Sequence, residues 1–173
     1  MSGLAVALTG HRPQHLDAQQ SAWARVVIPQ VMARLVTVYG MRVAISGMAL
    51  GADTWWALAA LSAGVELHAY IPFESQAARW PASDQALWHA IRASADREVM
   101  VSDGEYTVGA LHARNDAMIA AGDAVVALLR GGMNTGGTAD AYRKANAAGR
   151  PVLHLDPDVR TVVWADGRRP SQV

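Results

Sequence analysis

Residues 123–142, DAVVALLRGGMNTGGTADAY, decide the fold class. The run from Asp123 to Leu129 is continuously apolar after its first residue and too short for a helix. It has no polar alternation, as expected of a strand covered on both faces. A glycine-rich loop, Gly131 to Gly137, follows. Helical spacing then runs from Thr138 to Ala148, closed by Gly149, and a second apolar run spans Pro151 to Leu155. A strand, a glycine turn, a helix and a strand make one crossover unit with parallel strands.

The same alternation extends toward the N-terminus. Leu4 to Leu8 reads as a strand ending in Thr9-Gly10. A helix is expected from Leu16 to Tyr39, capped by Gly40, with Pro29 kinking or splitting it. Arg42 to Ile45 reads as a strand, Ala52 to Ala63 as a helix capped by Gly64, and Glu66 to Ile71 as a third strand. After an irregular stretch from Phe73 to Pro81 come a helix, Ser83 to Ser94, a strand, Arg97 to Val101, and a helix, Val108 to Ala121. These elements predict an α/β fold: a doubly wound, mainly parallel, Rossmann-like sheet with helices on both faces. Residues 1–157 are expected to form a single domain. Residues 158–173 read as a tail with one short strand, Thr161 to Trp164, and a polar end that frays.

The 173 residues carry 15 basic and 15 acidic side chains, a net charge of zero. That balance argues against a nucleic-acid ligand held by bulk charge and against a membrane surface. With no cysteine, disulfides, thiolate nucleophiles and cysteine metal sites are excluded. His15, His68, His89 and His112 show no metal-ligand spacing and read as structural, so neither a metal nor a cofactor is expected. Lys144 is the sole lysine beside 14 arginines, a bias of GC-rich coding in bacteria or their phages. No signal peptide or membrane-spanning run is legible, and a cytoplasmic location is the expectation.

In doubly wound sheets ligands bind beyond the carboxyl ends of the strands. Four turns there are unusual, and all belong to one edge of the sheet. In the loop before Thr138, Gly131, Gly132, Gly136 and Gly137 let the backbone approach a ligand, and the helix start favours an anion. The spacing is that of a P-loop with glycine in place of lysine, which rejects a P-loop NTPase but keeps a phosphate cradle. In the turn 46–53, with Gly47 and Gly51, the Ser46 hydroxyl suits a phosphate or ribose. Asp53 suits ribose hydroxyls or simply complements the helix dipole. After Gly10, Arg12 suits bidentate phosphate contact, and His11 suits phosphate donation or acid/base work. Glu74, Gln76 and Trp80 sit on a loop that could lid the site, with Glu74 a candidate base and Trp80 either a stacking platform or a core aromatic. Arg114, next to Asn115, reads as a phosphate ligand or a surface arginine. Of Trp55 and Trp56, adjacent on a helix, one is expected in the core.

Taken together, LTGHRP (8–13), ISGMALGAD (45–53), IPFESQ (71–76) with Trp80, ARNDAMI (113–119) and the 123–142 segment resemble the YpsA-like branch of the SLOG superfamily. That superfamily also holds the LOG-type phosphoribohydrolases and the DprA/Smf nucleic-acid proteins. The resemblance implies a Rossmann-like sheet binding a nucleotide or nucleotide-derived ligand, with phosphate at the GGT helix start, and a homodimer or larger homo-oligomer. The LOG-type pattern P-G-G-x-G-T-x-x-E ends in a catalytic glutamate. Here that position is Ala141, and Asp140 lies one residue earlier, about 100° round the helix.

The leading expectation is therefore a protein that senses or sequesters an ADP-ribose- or NAD-like ligand. The alternative is an N-glycosidic hydrolase of nucleotides, with Glu74, Asp53, Asp116 or Asp140 as its carboxylate and Arg114 as anchor. A third reading, a DNA- or protein-binding module, is disfavoured by the neutral charge.

Overall fold

The computed structural model describes residues 3–173. Strands and helices alternate as β1 (Leu4–Gly10), α1 (Ala18–Tyr39), β2 (Met41–Ser46), α2 (Ala52–Ala63), β3 (Glu66–Ile71), α3 (Ala82–Ser94), β4 (Arg97–Met100), α4 (Val108–Ala121), β5 (Ala124–Leu128), α5 (Gly137–Ala147), β6 (Val152–Asp156) and β7 (Thr161–Trp164). Short 3₁₀ turns occupy Pro13–His15 and Ala165–Gly167. The sheet runs β4-β3-β2-β1-β5-β6-β7, parallel throughout except for β7, which is antiparallel to β6. This is the expected doubly wound α/β architecture.

Period-two alternation along the central strands builds two cores. Val6, Leu8, Val126 and Leu128 face α1, α2 and α3, where Ile28, Met32, Trp56 and Trp88 are buried. Ala7, Val125 and Ala127 face α4 and α5, meeting Met118, Ile119, Ala141 and Ala145. Both faces of β5 are thus covered, which is why its sequence reads as one apolar run. Trp56 is fully buried, whereas Trp55 stays half-buried with the Arg25 guanidinium 5.8 Å from its ring centre.

Helix α1 starts two residues later than its apolar pattern suggests. Asp17 accepts from the Gln20 backbone N–H at 2.7 Å, and the Gln20 side chain accepts from the Asp17 N–H at 2.9 Å, a reciprocal capping box. The helix is not split at Pro29 but runs unbroken for 22 residues. Pro29 is exposed, so the carbonyl it leaves unbonded faces water, while Ile28, Val31, Met32 and Leu35 hold the helix to the sheet. The chain end is also tied down rather than frayed. Strand β7 joins the sheet, and the Val173 N–H donates to the Val38 carbonyl at 3.2 Å.

The chain winds from β1 outward to β4, then returns to the other side of β1 through β5. The carboxyl ends of β1 and β5 therefore flank the switch point, where connections diverge and a crevice opens. Among the described residues no helix is long and apolar enough to cross a membrane. Removing the α1 cap tests the helix assignment: Asp17→Ala should lower the unfolding free energy by about 1 kcal/mol, read as a lower urea midpoint at unchanged slope.

Candidate functional site

The crevice is a cleft of about 270 Å³ between the end of β1, the starts of α2 and α5, and the side of α4. Gly10, Arg12, Asp53, Arg114, Gly137 and Thr138 all line it, so residues from three of the four unusual turns converge here.

The α5 side supplies backbone donors. Gly136 caps the helix at φ 92°, a conformation that favours glycine, and no side chain caps the first turn. The N–H groups of Gly137 and Thr138 therefore have no helical acceptor and carry the positive end of the helix dipole. The root of the loop is clamped. The Arg130 N–H donates to His11 Nε2 at 3.1 Å, the Gly131 N–H to Asp156 Oδ1 at 3.2 Å, and Arg130 Nε to Asp158 at 2.9 Å. A Cβ at Gly131 would fall 2.4 Å from Asp156 Oδ2, whereas one at Gly132 or Gly136 would meet nothing within 4 Å. The loop is thus fixed at its base and open at its tip.

His11, which its sequence position suited to phosphate donation or acid/base work, is the latch at that base. It is 3% exposed, and burial above all, then its neighbours His15 and Arg130, lowers its pKa from 6.5 to about 4, against a weaker opposing pull from Asp158. A neutral ring accepting at Nε2 carries its proton on Nδ1. Arg12, one residue on, is a second cation lining the cleft. It is half-buried and has no ion-pair partner among the described residues. Its place is set by Gly51 (φ 86°), where a Cβ would come within 2.8 Å of the His11 carbonyl and 3.2 Å of Arg12 Cα.

The turn after β2 is organised by Arg114, reaching across from α4. Its Nη1 donates to the Gly47 carbonyl and lies 3.7 Å from Asp53 Oδ2. Glycine at 47 makes room for that guanidinium, since a Cβ would fall 2.4 Å from Nη1. The Gly47 carbonyl also accepts from Gln76 Nε2 at 3.0 Å, and Gln76 in turn accepts the Trp88 indole N–H at 3.1 Å. Arg114 is therefore no surface arginine but a buried brace, 6% exposed, that also lines the cleft. Ser46 is likewise internal: fully buried, its hydroxyl donates to the Asp53 carbonyl at 2.8 Å and accepts from the Met48 N–H at 3.2 Å. Its one proton is thus spent inside the protein. Asp53 is the one carboxylate lining the cleft among the described residues. Burial raises its pKa, opposed by the Arg114 charge and the Ala49 N–H bonded at 3.2 Å.

The other candidate carboxylates stand elsewhere. Glu74 is exposed and held by Arg92 at 2.7 and 3.0 Å, which lowers its pKa. Asp140 faces Lys144 at 3.1 Å and His112 at 3.4 Å, and Asp116 meets the same Lys144 at 2.9 Å. None of the three lines the cleft. Gln76 is a brace, and Trp80 lines a neighbouring hollow. Gln14 and His15, the latter read as structural from sequence, do line the cleft because the 3₁₀ turn Pro13–His15 folds the chain back over it. Pro13, suited to the first position of a helical turn, was the available signal. Leu111 and Asn115 complete the α4 wall. Among the described residues no group of three or more metal-binding side chains forms.

The YspA SLOG family description matches residues 6–149, a span that includes every element lining the cleft. The chain belongs to the YspA SLOG family. No curated protein sequence matches this SLOG chain significantly. Its fold is similar to DNA processing protein A from Streptococcus pneumoniae (21% identity, TM-score 0.62, covering 88% of this chain and 50% of that one). DNA processing protein A from Helicobacter pylori, described for its single-stranded DNA binding mode, is similar too (18%, 0.64, 91% and 71%). So is the molybdenum cofactor carrier protein from Chlamydomonas reinhardtii (16%, 0.56, 89% and 77%). This SLOG chain spans half the length of the Streptococcus pneumoniae protein.

Two measurements check the local chemistry. His11 is neutral when folded, so its contribution to stability is complete above pH 6.5 and is lost as pH falls toward 4. The loss should be on the order of 2–3 kcal/mol. His11→Gln, which can still accept from Arg130, should flatten that part of the stability–pH curve. Arg114→Ala strands a buried carboxylate and should cost about 3–5 kcal/mol in chemical denaturation, more than Arg12→Ala, which should cost under ~1 kcal/mol.

Proposed function

We propose that this protein binds a nucleotide or nucleotide-derived ligand, of the ADP-ribose or NAD kind, and acts as its sensor or sequestering protein. The observation that carries this reading is the pairing of two anion-binding devices across one cleft. The uncapped α5 start offers backbone N–H groups at Gly137 and Thr138, and Arg12, with no ion-pair partner among the described residues, faces the same space. A helix N-terminus and a guanidinium together suit phosphate. Asp53 and Asn115 line the same cleft and supply carboxylate and amide groups of the kind that ribose hydroxyls bond. The same reading takes the chain as cytoplasmic and homo-oligomeric, with residues 1–157 as the binding domain.

A second reading, an N-glycosidic hydrolase, is favoured by Asp53 alone. Cleaving the bond to a base builds positive charge on the ribose, which a carboxylate in the cleft would stabilise. Of the four carboxylates that the sequence offered, Glu74, Asp53, Asp116 and Asp140, this reading takes Asp53, which lines the cleft.

The deciding experiment incubates the protein with AMP, ADP, ADP-ribose, NAD and cyclic nucleotides, and reads thermal shift and released base in the same samples. A binder at ~100-fold its Kd should gain about 2.7 kcal/mol, or roughly 5–10 °C in Tm, with the ligand recovered intact. Arg12→Ala should weaken that binding about 10- to 100-fold. Free base that disappears in Asp53→Asn would establish the hydrolase instead. Single-stranded DNA, titrated at two salt concentrations, should bind weakly compared with the nucleotide, because the chain has no net positive charge.

A further inference from the structure

Beside the phosphate cleft lies a second hollow of about 520 Å³, lined by Phe73, Trp80, Glu105 and Tyr106. Arg12 and Leu111 line both spaces, so the two form one trough with the Arg12 guanidinium at its waist. We propose that this second lobe receives the aromatic base of the ligand whose phosphate sits at the α5 start. The site is then specific for nucleotides extended across Arg12 rather than for sugar phosphates in general. This assignment rests on the nucleotide reading of the first cleft.

Three observations support it. The walls are aromatic, and one is only half used. Tyr106 is 62% exposed and meets the buried Phe73 edge-to-face, with ring centres 5.6 Å apart at 84°. An edge-to-face contact occupies at most one ring face, so a Tyr106 face remains open for stacking. Trp80 is held at its backbone. Its N–H donates to the Ala77 carbonyl at 3.0 Å, and its carbonyl accepts from Gln85 Nε2 at 2.8 Å, which fixes its Cα at the mouth of the lobe. The charges also set an orientation. Arg79 and Glu105 both line the second lobe and oppose each other in sign, so the anion-attracting bias of the trough lies at Arg12 and α5. The phosphate belongs on that side, and the flat, uncharged end of the ligand belongs between the aromatic rings.

Calorimetric titration with AMP, ribose 5-phosphate and adenosine separates the parts. AMP should bind at least roughly 10-fold more tightly than ribose 5-phosphate, the usual size of a base–aromatic stack. Tyr106→Ala should remove most of that advantage while leaving the ribose 5-phosphate Kd unchanged, and Tyr106→Phe should restore it. Trp80→Ala should act as Tyr106→Ala does. Tyr106 is exposed, so its variants remain informative even if Trp80→Ala loosens the fold. Arg12→Ala should weaken both phosphate compounds alike. Equal binding of AMP and ribose 5-phosphate overturns the base lobe alone, as does AMP binding indifferent to Tyr106→Ala. Binding of none of the three compounds overturns the phosphate cradle and the base lobe with it. A dT oligomer that binds more tightly than AMP with the same Tyr106 dependence makes the trough a single-strand channel and overturns the single-nucleotide assignment.

Discussion

The site depends on one guanidinium crossing from one layer of the fold to another. Arg114 leaves α4 on one face of the sheet and ends above the turn that leads from β2 into α2 on the other. There it meets the Gly47 carbonyl and the Asp53 carboxylate, and its charge and theirs are nearly removed from water. A buried pair of this kind adds little net stability over apolar packing, but breaking it leaves one charge stranded. The joint therefore acts less as glue than as a register mark. It fixes the height of the 46–53 turn relative to α4, and with it the carboxylate that faces the cleft. Gln76 extends the same joint to α3, donating to the Gly47 carbonyl while accepting from the Trp88 indole N–H.

The opposite wall has its own reference point. His11 holds the backbone of Arg130, and the carboxylates of Asp156 and Asp158 hold Gly131 and the Arg130 side chain. The end of β6 thus steadies the loop that follows β5. Neutral imidazole suits this role because a protonated ring would offer the Arg130 N–H a second donor instead of an acceptor. A chain segment that looks flexible from its glycines is in fact hinged at one end by three side chains from elsewhere in the sequence.

The fold was legible because local and global signals agreed. DAVVALL could only be a doubly covered strand, and its glycine turn and helix repeated in the other units. Boundaries failed where side-chain chemistry overrode hydrophobic period. Asp17 delayed the start of α1, and Pro29 was tolerated because burial on the far side outweighed one lost hydrogen bond. The site was legible as a set of turns but not as a set of roles. Gly10, Arg12, Asp53, Gly137 and Thr138 line one cleft. Ser46 and Arg114 bear the residue types of ligands yet spend their hydrogen bonds on the protein, and Glu74 spends its own on Arg92. Sequence can show that a serine follows a strand. It cannot show that a carbonyl seven residues away will accept its hydrogen bond. His15, Tyr106 and Leu111 were missed for the converse reason: their position depends on how turns distant in sequence fold over one another.

The glycines of the cleft also divide the molecule by evolutionary freedom. At Gly47, Gly51 and Gly131 any side chain would collide with an element that sets the site's shape, so these positions cannot change without a compensating change in their neighbours. At Gly132 and Gly136 there is open space, though only the first has a backbone that other residues adopt easily. New ligand preferences in a lineage of this chain can therefore be written at the tip of the loop and at exposed positions such as Tyr106, while the joints beneath stay unaltered. A binding surface built this way can diverge quickly in what it holds and slowly in how it is built.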